Sequence, residues 1–220
     1  MNKKIKKLFD KIPAPVKVLG KKISGVMKRF ITKNPVLIMG LSLGPVVAIS
    51  QSLKAGVSLS VAFGIIIVPV LVIIGFIPVK ISKSVRIILY SLLSCIFFIP
   101  AFWFAKNIFP EVSDKVGIFL PLMVVNPIIS SRSAEAARGR FPLRSFLSGI
   151  ETAFGFSLVM CIVSAIREIL GKGTIWDAPI GNFSGNISFL LPFMGFIIIG
   201  FLAAGVSKLT EFIEKAKEEK

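Results

Sequence analysis

NPVLIMGLSLGPVVAIS (34–50) and VGIFLPLMVVNPIIS (116–130) decide the architecture. Both runs carry no charge, and both are interrupted near the middle, the first by Gly44-Pro45 and the second by Asn126-Pro127. Proline has no amide donor and leaves the carbonyl four residues earlier without its helical partner. In hydrocarbon such backbone is tolerated only where protein or a lined cavity satisfies it. Each run opens a set of three apolar stretches. Three crossings is an odd number, so the second set must run opposite to the first. The reading is an all-α integral membrane protein of six transmembrane helices, built as two inverted three-helix repeats with broken first and fourth helices. Matched breaks of this kind point to a site near the bilayer midplane.

Composition excludes the soluble classes. Of 220 residues, 54% are strongly apolar and 17% are charged, and mean hydropathy is +0.84. Soluble domains are about 25% charged. The uncharged stretches run 34–53, 55–79, 87–105, 116–131 and 187–207, with a sixth at 145–166 interrupted only by Glu151. A spanning helix needs roughly 20 apolar residues, so 116–131 is short and the others suffice.

Charge placement sets the orientation. With the N-terminus inside, 22 of the 27 Lys/Arg fall on the cytoplasmic side, and only Lys54, Lys106, Lys115, Arg167 and Lys172 fall outside. Positive residues favour the cytoplasm, so both termini are expected there, in the cell membrane. Trp103, Phe109 and Trp176 then fall near the outer interface, where aromatic side chains concentrate. Three segments result: 1–33, the membrane domain 34–208, and a charged tail 209–220. The first 33 residues hold eleven Lys/Arg and one acid, Asp10. Apolar residues at Ile5, Leu8, Phe9 and Ile12, and again at Val16, Leu19, Ile23, Val26 and Phe30, make one stripe on a basic helix. Such a segment is expected to lie on anionic lipid. No base-stacking platform accompanies the charge, so nucleic acid is not an expected partner. No short apolar leader with a small-residue cleavage site follows the basic start.

Few residues offer chemistry. The chain has no histidine, which removes His-based relays, metal sites and triads. Its two cysteines, Cys95 and Cys161, lie in apolar runs and read as reduced core residues. Glu151, near the cytoplasmic end of the fifth span, is either a proton or sodium site or a partner of Arg144 or another loop arginine. Arg167-Glu168, followed by Gly171 and Gly173, reads as a charged helix terminus with glycine stops, with a direct substrate role as the sharper alternative. Ser42, Ser50 and Ser130 are expected to satisfy backbone groups freed at the breaks. No catalytic residue emerges.

VGIFLPLMVVNPIIS-SR-SAEAA (116–137), REILGKGT (167–174) and NPVLIMGLSLGPVVAIS (34–50) resemble the Rnf/Nqr membrane-subunit family, RnfE/NqrD type, over about residues 34–208. The resemblance implies six spans, inverted repeats and a sister subunit of opposite orientation. It also implies four cysteines, one from each broken helix of the two subunits, holding a [2Fe–2S] cluster between flavin and iron–sulfur carriers, with electron flow coupled to Na⁺ or H⁺ movement. This sequence departs from that pattern at the ligands. Gly44-Pro45 stands where the family reads Cys-Pro, and Asn126-Pro127 where it reads Asn-Cys, so the ligand positions are Gly44 and Pro127. An extra residue near Ser133 also shifts the following loop.

The expected function is therefore a membrane subunit of an Rnf/Nqr-like ion-translocating electron-transport complex that ligates no cluster and serves as a structural or docking paralogue. Flavins are expected on partner subunits. The competing class is the membrane component of a small-solute, vitamin-type transporter, with the broken helices cradling a ligand. The REILGKGT block weighs against it.

Overall fold

The computed structural model describes residues 36–37, 39–77, 82–139, 142–180 and 185–218. The amphipathic reading of residues 1–33 lies outside them. The described chain is helical apart from one two-stranded hairpin. Its elements are α1 (Leu43–Ile49), α2 (Leu53–Gly75), α3 (Lys83–Ile108), α4 (Pro110–Phe119), a 3₁₀ turn (Leu120–Met123), α5 (Pro127–Gly139), α6 (Pro142–Lys172), β1 (Thr174–Ile175), β2 (Ala178–Pro179), a second 3₁₀ turn (Ile187–Leu190) and α7 (Pro192–Glu218).

Among the described residues, three helices have the length and apolar composition to cross a membrane: Leu53–Gly75, Ser84–Ile108 and Pro142–Lys172. The start of α7, Pro192–Lys208, is a shorter apolar helix. Beyond it the helix continues to Glu218, so the charged tail expected from 209 is an extension of α7. The run 116–130 is divided among the end of α4, a 3₁₀ turn and the start of α5. Together with the apolar composition, these helices make the chain an all-α, multi-pass membrane protein.

The centre of the bundle is α2, which packs along α6 and also against α3 and α5. Gly56 lies against Ser164, Gly64 against Ala153, Gly149 against Val68 and Gly75 against Ser145. Contacts advance along one helix as they retreat along the other, so α2 and α6 are antiparallel. Lipid tails give no hydrophobic drive for helices to associate, and small residues let the two backbones approach instead. Phe63 and Phe156 fill the middle of this seam, with ring centroids 4.4 Å apart. The other side of the bundle is open. On α3, Ile88, Leu92, Ile96, Ile99 and Trp103 are all exposed, at helical spacing. Cys95 shares that exposure and Cys161 is only half-buried, so neither is a core cysteine. An apolar residue in a membrane helix need not face the protein core, because lipid solvates it equally well.

Adding bulk to the seam tests this packing. A Cβ at Gly149 would come within 3.1 Å of the Val68 backbone, whereas one at Gly64 would meet Ala153 at an ordinary 3.7 Å. Gly149→Val is expected to destabilise the detergent-solubilised protein by about 1–3 kcal/mol, an overpacking cost. Gly64→Ala is expected to leave the melting temperature nearly unchanged. Equal shifts for the two variants would contradict the seam.

Candidate functional site

The two helix breaks meet. The chain takes left-handed backbone at Gly40 and Ser42, with φ of 63° and 65°, and α1 begins at Leu43. Gly44 and Pro45 thus lie in the first turn of α1, immediately after the break. A proline there removes only an amide that would have lacked a helical partner anyway. Pro127 likewise opens α5. Before it, the Asn126 side chain uses both ends. Its Oδ1 accepts from the Ile128 amide at 2.9 Å, and its Nδ2 donates to Ser42 Oγ at 2.8 Å. Asn126 is 2% exposed and Ser42 is 5% exposed. A buried side-chain hydrogen bond therefore ties one break to the other across 84 residues of chain.

Two of the three serines take side chains from distant segments as partners. Ser42 accepts from a side chain, and Ser50 Oγ accepts from Arg167 Nη1 at 2.6 Å. Because both prolines stand at helix starts, they free no interior carbonyl for a serine to satisfy.

Arg167 and Glu168, the charged pair near the end of α6, are completely buried. Arg167 donates from Nη1 to the Val47 carbonyl at 2.6 Å, and from Nη2 to the carbonyls of Leu190 and Leu191 at 2.6 and 3.2 Å. Its Nε donates to the Phe189 carbonyl at 3.2 Å. The guanidinium thus covers one carbonyl near the end of α1 and three at the end of the second 3₁₀ turn. Glu168 does the reverse. Its Oε2 accepts from the Leu53 amide, the first of α2, at 2.5 Å, and its Oε1 accepts from the Asp177 amide and the Thr174 hydroxyl at 2.8 and 3.1 Å. Cation at a helix C-terminus and anion at a helix N-terminus is the favourable pairing. Adjacent residues thereby cap both sides of the α1–α2 elbow, and Ser52 completes it by accepting from the Ala55 amide at 3.2 Å.

The glycines nearby act in different ways. Gly173, at φ 69°, ends α6 by donating its amide to the Ile169 carbonyl, whereas Gly171 is small because Leu190 packs on it. The hairpin then turns on Trp176 and Asp177, both at positive φ, the signature of a type I′ turn usually made with Asn and Gly. Asp177 is held from both ends, its amide by Glu168 and its carboxylate by Lys54 at 3.1 Å. Lys54 also bridges Glu111 at 2.8 Å, and Trp176 meets Phe109 edge-on at 6.5 Å. Above the elbow these groups border an open cleft of about 520 Å³, whose polar wall is Gln51, Ser52, Lys54, Glu111, Lys172 and Asp177. Glu151 sits elsewhere, half-buried on α6, two turns from the exposed Arg144.

An iron–sulfur cluster does not fit the residues at the breaks. A Cβ at Gly44 would have open space around it, but glycine carries no donor, and Pro127 carries none either. Cys95 is on α3 and Cys161 on α6, and among the described residues no three His, Cys, Asp or Glu gather as metal ligands.

The family described as "Rnf-Nqr subunit, membrane protein" matches residues 23–203. The chain belongs to the Rnf-Nqr family. Three relatives illustrate the likeness, each one subunit of a larger complex. The first, from the proton-translocating ferredoxin:NAD(+) oxidoreductase complex of Clostridium ljungdahlii, is 29% identical over 197 residues, covering 88% of this chain and 92% of that one. The second, from the ion-translocating oxidoreductase complex of Shewanella loihica, is 27% identical over 205 residues, covering 84% and 86%. The third, from the Na(+)-translocating NADH-quinone reductase of Pseudoalteromonas atlantica, is 29% identical over 174 residues, covering 76% and 83%.

Sequence reasoning placed Arg167-Glu168 at a helix end but missed what the pair caps. The available signal was two opposite charges side by side at the end of an otherwise nearly uncharged run.

Two variants separate the roles at the joint. Asn126→Asp keeps the acceptor for Ile128 but reverses the contact with Ser42, whose hydroxyl must then donate to a buried carboxylate, whereas Asn126→Ala loses both bonds. The alanine variant is expected to cost about 1–3 kcal/mol of thermal stability, combining a lost cap with a stranded buried hydroxyl. Both should melt below wild type. Indifference to Asn126→Ala would mean that the joint contributes nothing. At the cleft, Asp177→Asn keeps the backbone bond to Glu168 and removes only ion pairs that face water. It is expected to shift melting slightly, and the shift should vanish at high salt.

Proposed function

We propose that this chain is a membrane subunit of an Rnf/Nqr-like ion-translocating electron-transport complex that ligates no cluster, serving as a structural or docking paralogue beside a cysteine-bearing sister. The observation that carries the reading is the state of the two breaks. They are retained and brought together, yet the positions where family resemblance puts cysteines hold Gly44 and Pro127, and the link between them is Ser42–Asn126. The relatives named above are subunits of ion-translocating oxidoreductases, which supports other subunits of that kind as partners. Flavins on those partners follow from the family resemblance alone.

The finer architecture belongs to the same proposal. The membrane domain, 34–208, makes six crossings as two inverted repeats, with the breaks near the midplane. Support comes from α2 and α6, each following the broken segment of its own set, which pack antiparallel along their length. The excess of Lys/Arg on one side supports cytoplasmic termini in the cell membrane, and the basic residues 1–33 suit anionic lipid. The sister subunit would take the opposite orientation. Glu151 is assigned an ion-pair or ion-binding role on its position in α6.

The test is a mild-detergent pull-down of the tagged full chain from its host membranes, with mass spectrometry of the eluate and iron analysis of the chain purified alone. Flavin-bearing and cysteine-bearing Rnf/Nqr-like subunits should co-purify, and the isolated chain should contain no iron. Recovery alone or with ATPase subunits would overturn the assignment to a complex. A [2Fe–2S] signal from the isolated chain would overturn the non-ligating role.

A further inference from the structure

The buried Arg167 guanidinium spends its donors on a target that is neither substrate nor counter-ion. Four of its five bonds go to main-chain carbonyls, of Val47, Phe189, Leu190 and Leu191, and the fifth goes to Ser50 Oγ. A guanidinium has five N–H groups in a rigid fork, and here every one has an acceptor. Space for the group is made by Gly195 on α7, where a Cβ would stand 3.3 Å from Arg167 Nη1 and 2.9 Å from Val47. The same short helix that Arg167 caps at Val47 begins at Leu43, next to Ser42, whose hydroxyl accepts from Asn126. Seven helical residues span about 10 Å, too short a rod to hold itself in place. We propose that Arg167 is the positioning residue for the first helix break: by locking the end of α1 against the second 3₁₀ turn, it fixes α1 and so keeps Ser42 against Asn126. The role requires the fork and not merely the charge, because a lysine ammonium has three donors on one atom, too few for the five acceptors that the guanidinium meets here. It stands apart from the electron-transport reading and would hold for any function built on these breaks.

Thiol labelling reads the position of α1 directly. In the full-length chain with Cys95 and Cys161 replaced by alanine, Val47→Cys places a buried thiol on α1, and Val159→Cys places one in the middle of α6 as a control. With Arg167 present, both thiols should label slowly in native membranes. Arg167→Met and Arg167→Lys should each raise labelling at position 47 by about tenfold or more, since a buried thiol reports the population of the locally open state. Labelling at position 159 should not change. Ser50→Ala removes a single acceptor and should give an intermediate rise, so the test survives if the Arg167 variants fail to accumulate. Unchanged labelling at 47 in Arg167→Met would overturn the proposal. So would a parallel rise at 159, which would mean general loosening, and so would a lysine variant that protects as well as arginine.

Discussion

A peptide group released from a helix inside a bilayer has no water to turn to, and leaving it unpaired costs several kcal/mol. The same cost attaches to any buried helix end, and among the described residues two places show how it is met. At the α1–α2 elbow the Val47 carbonyl of α1 is met by Arg167, and the first amide of α2 is met by Glu168. At α5 the amide of Ile128, which has no helical partner, is met by Asn126. Each end is closed from within the protein, and each closing side chain has the sign or polarity that the helix end demands. A buried Arg-Glu dipeptide is normally expensive to keep. Here the two residues are not ion-paired to one another among the contacts described. They are compensated separately, by oppositely polarised ends of two helices.

These contacts are what hold the two breaks together. The hydrogen bond from Asn126 to Ser42, the cap on Ile128 and the fork of Arg167 hold the broken segments without a side chain at 44 or a donor at 127. The positions that resemblance marks as ligands sit beside the joint but do not make it.

Much of this was legible beforehand. Charge-free runs identified the long helices α2, α3 and α6, because length and hydropathy alone decide what can sit in lipid. The Gly-Pro and Asn-Pro pairs located both breaks to within a few residues, and the Arg-Glu and Gly-Pro blocks located the family. What could not be read is equally specific. Pro45 marks the start of a helix rather than its interruption, since proline is at home in a first turn. Ser42 and Ser50 serve side chains from distant segments, a long-range pairing that no local pattern encodes. Cys95 lies on an exposed face because apolar character in a membrane segment does not distinguish lipid from core.

The glycine–serine seam between α2 and α6 bears on how the family can diverge. Gly56 has no room for a methyl because Ser164 occupies it, and at the other end Gly75 faces Ser145 at similarly short range. Volume along this seam is therefore shared property. A lineage that enlarges one member must shrink its opposite at nearly the same time, or first pass through a chain that packs badly. Sequence drift at these four positions should accordingly be reciprocal, with the larger residue free to change sides while the pair's combined size stays fixed.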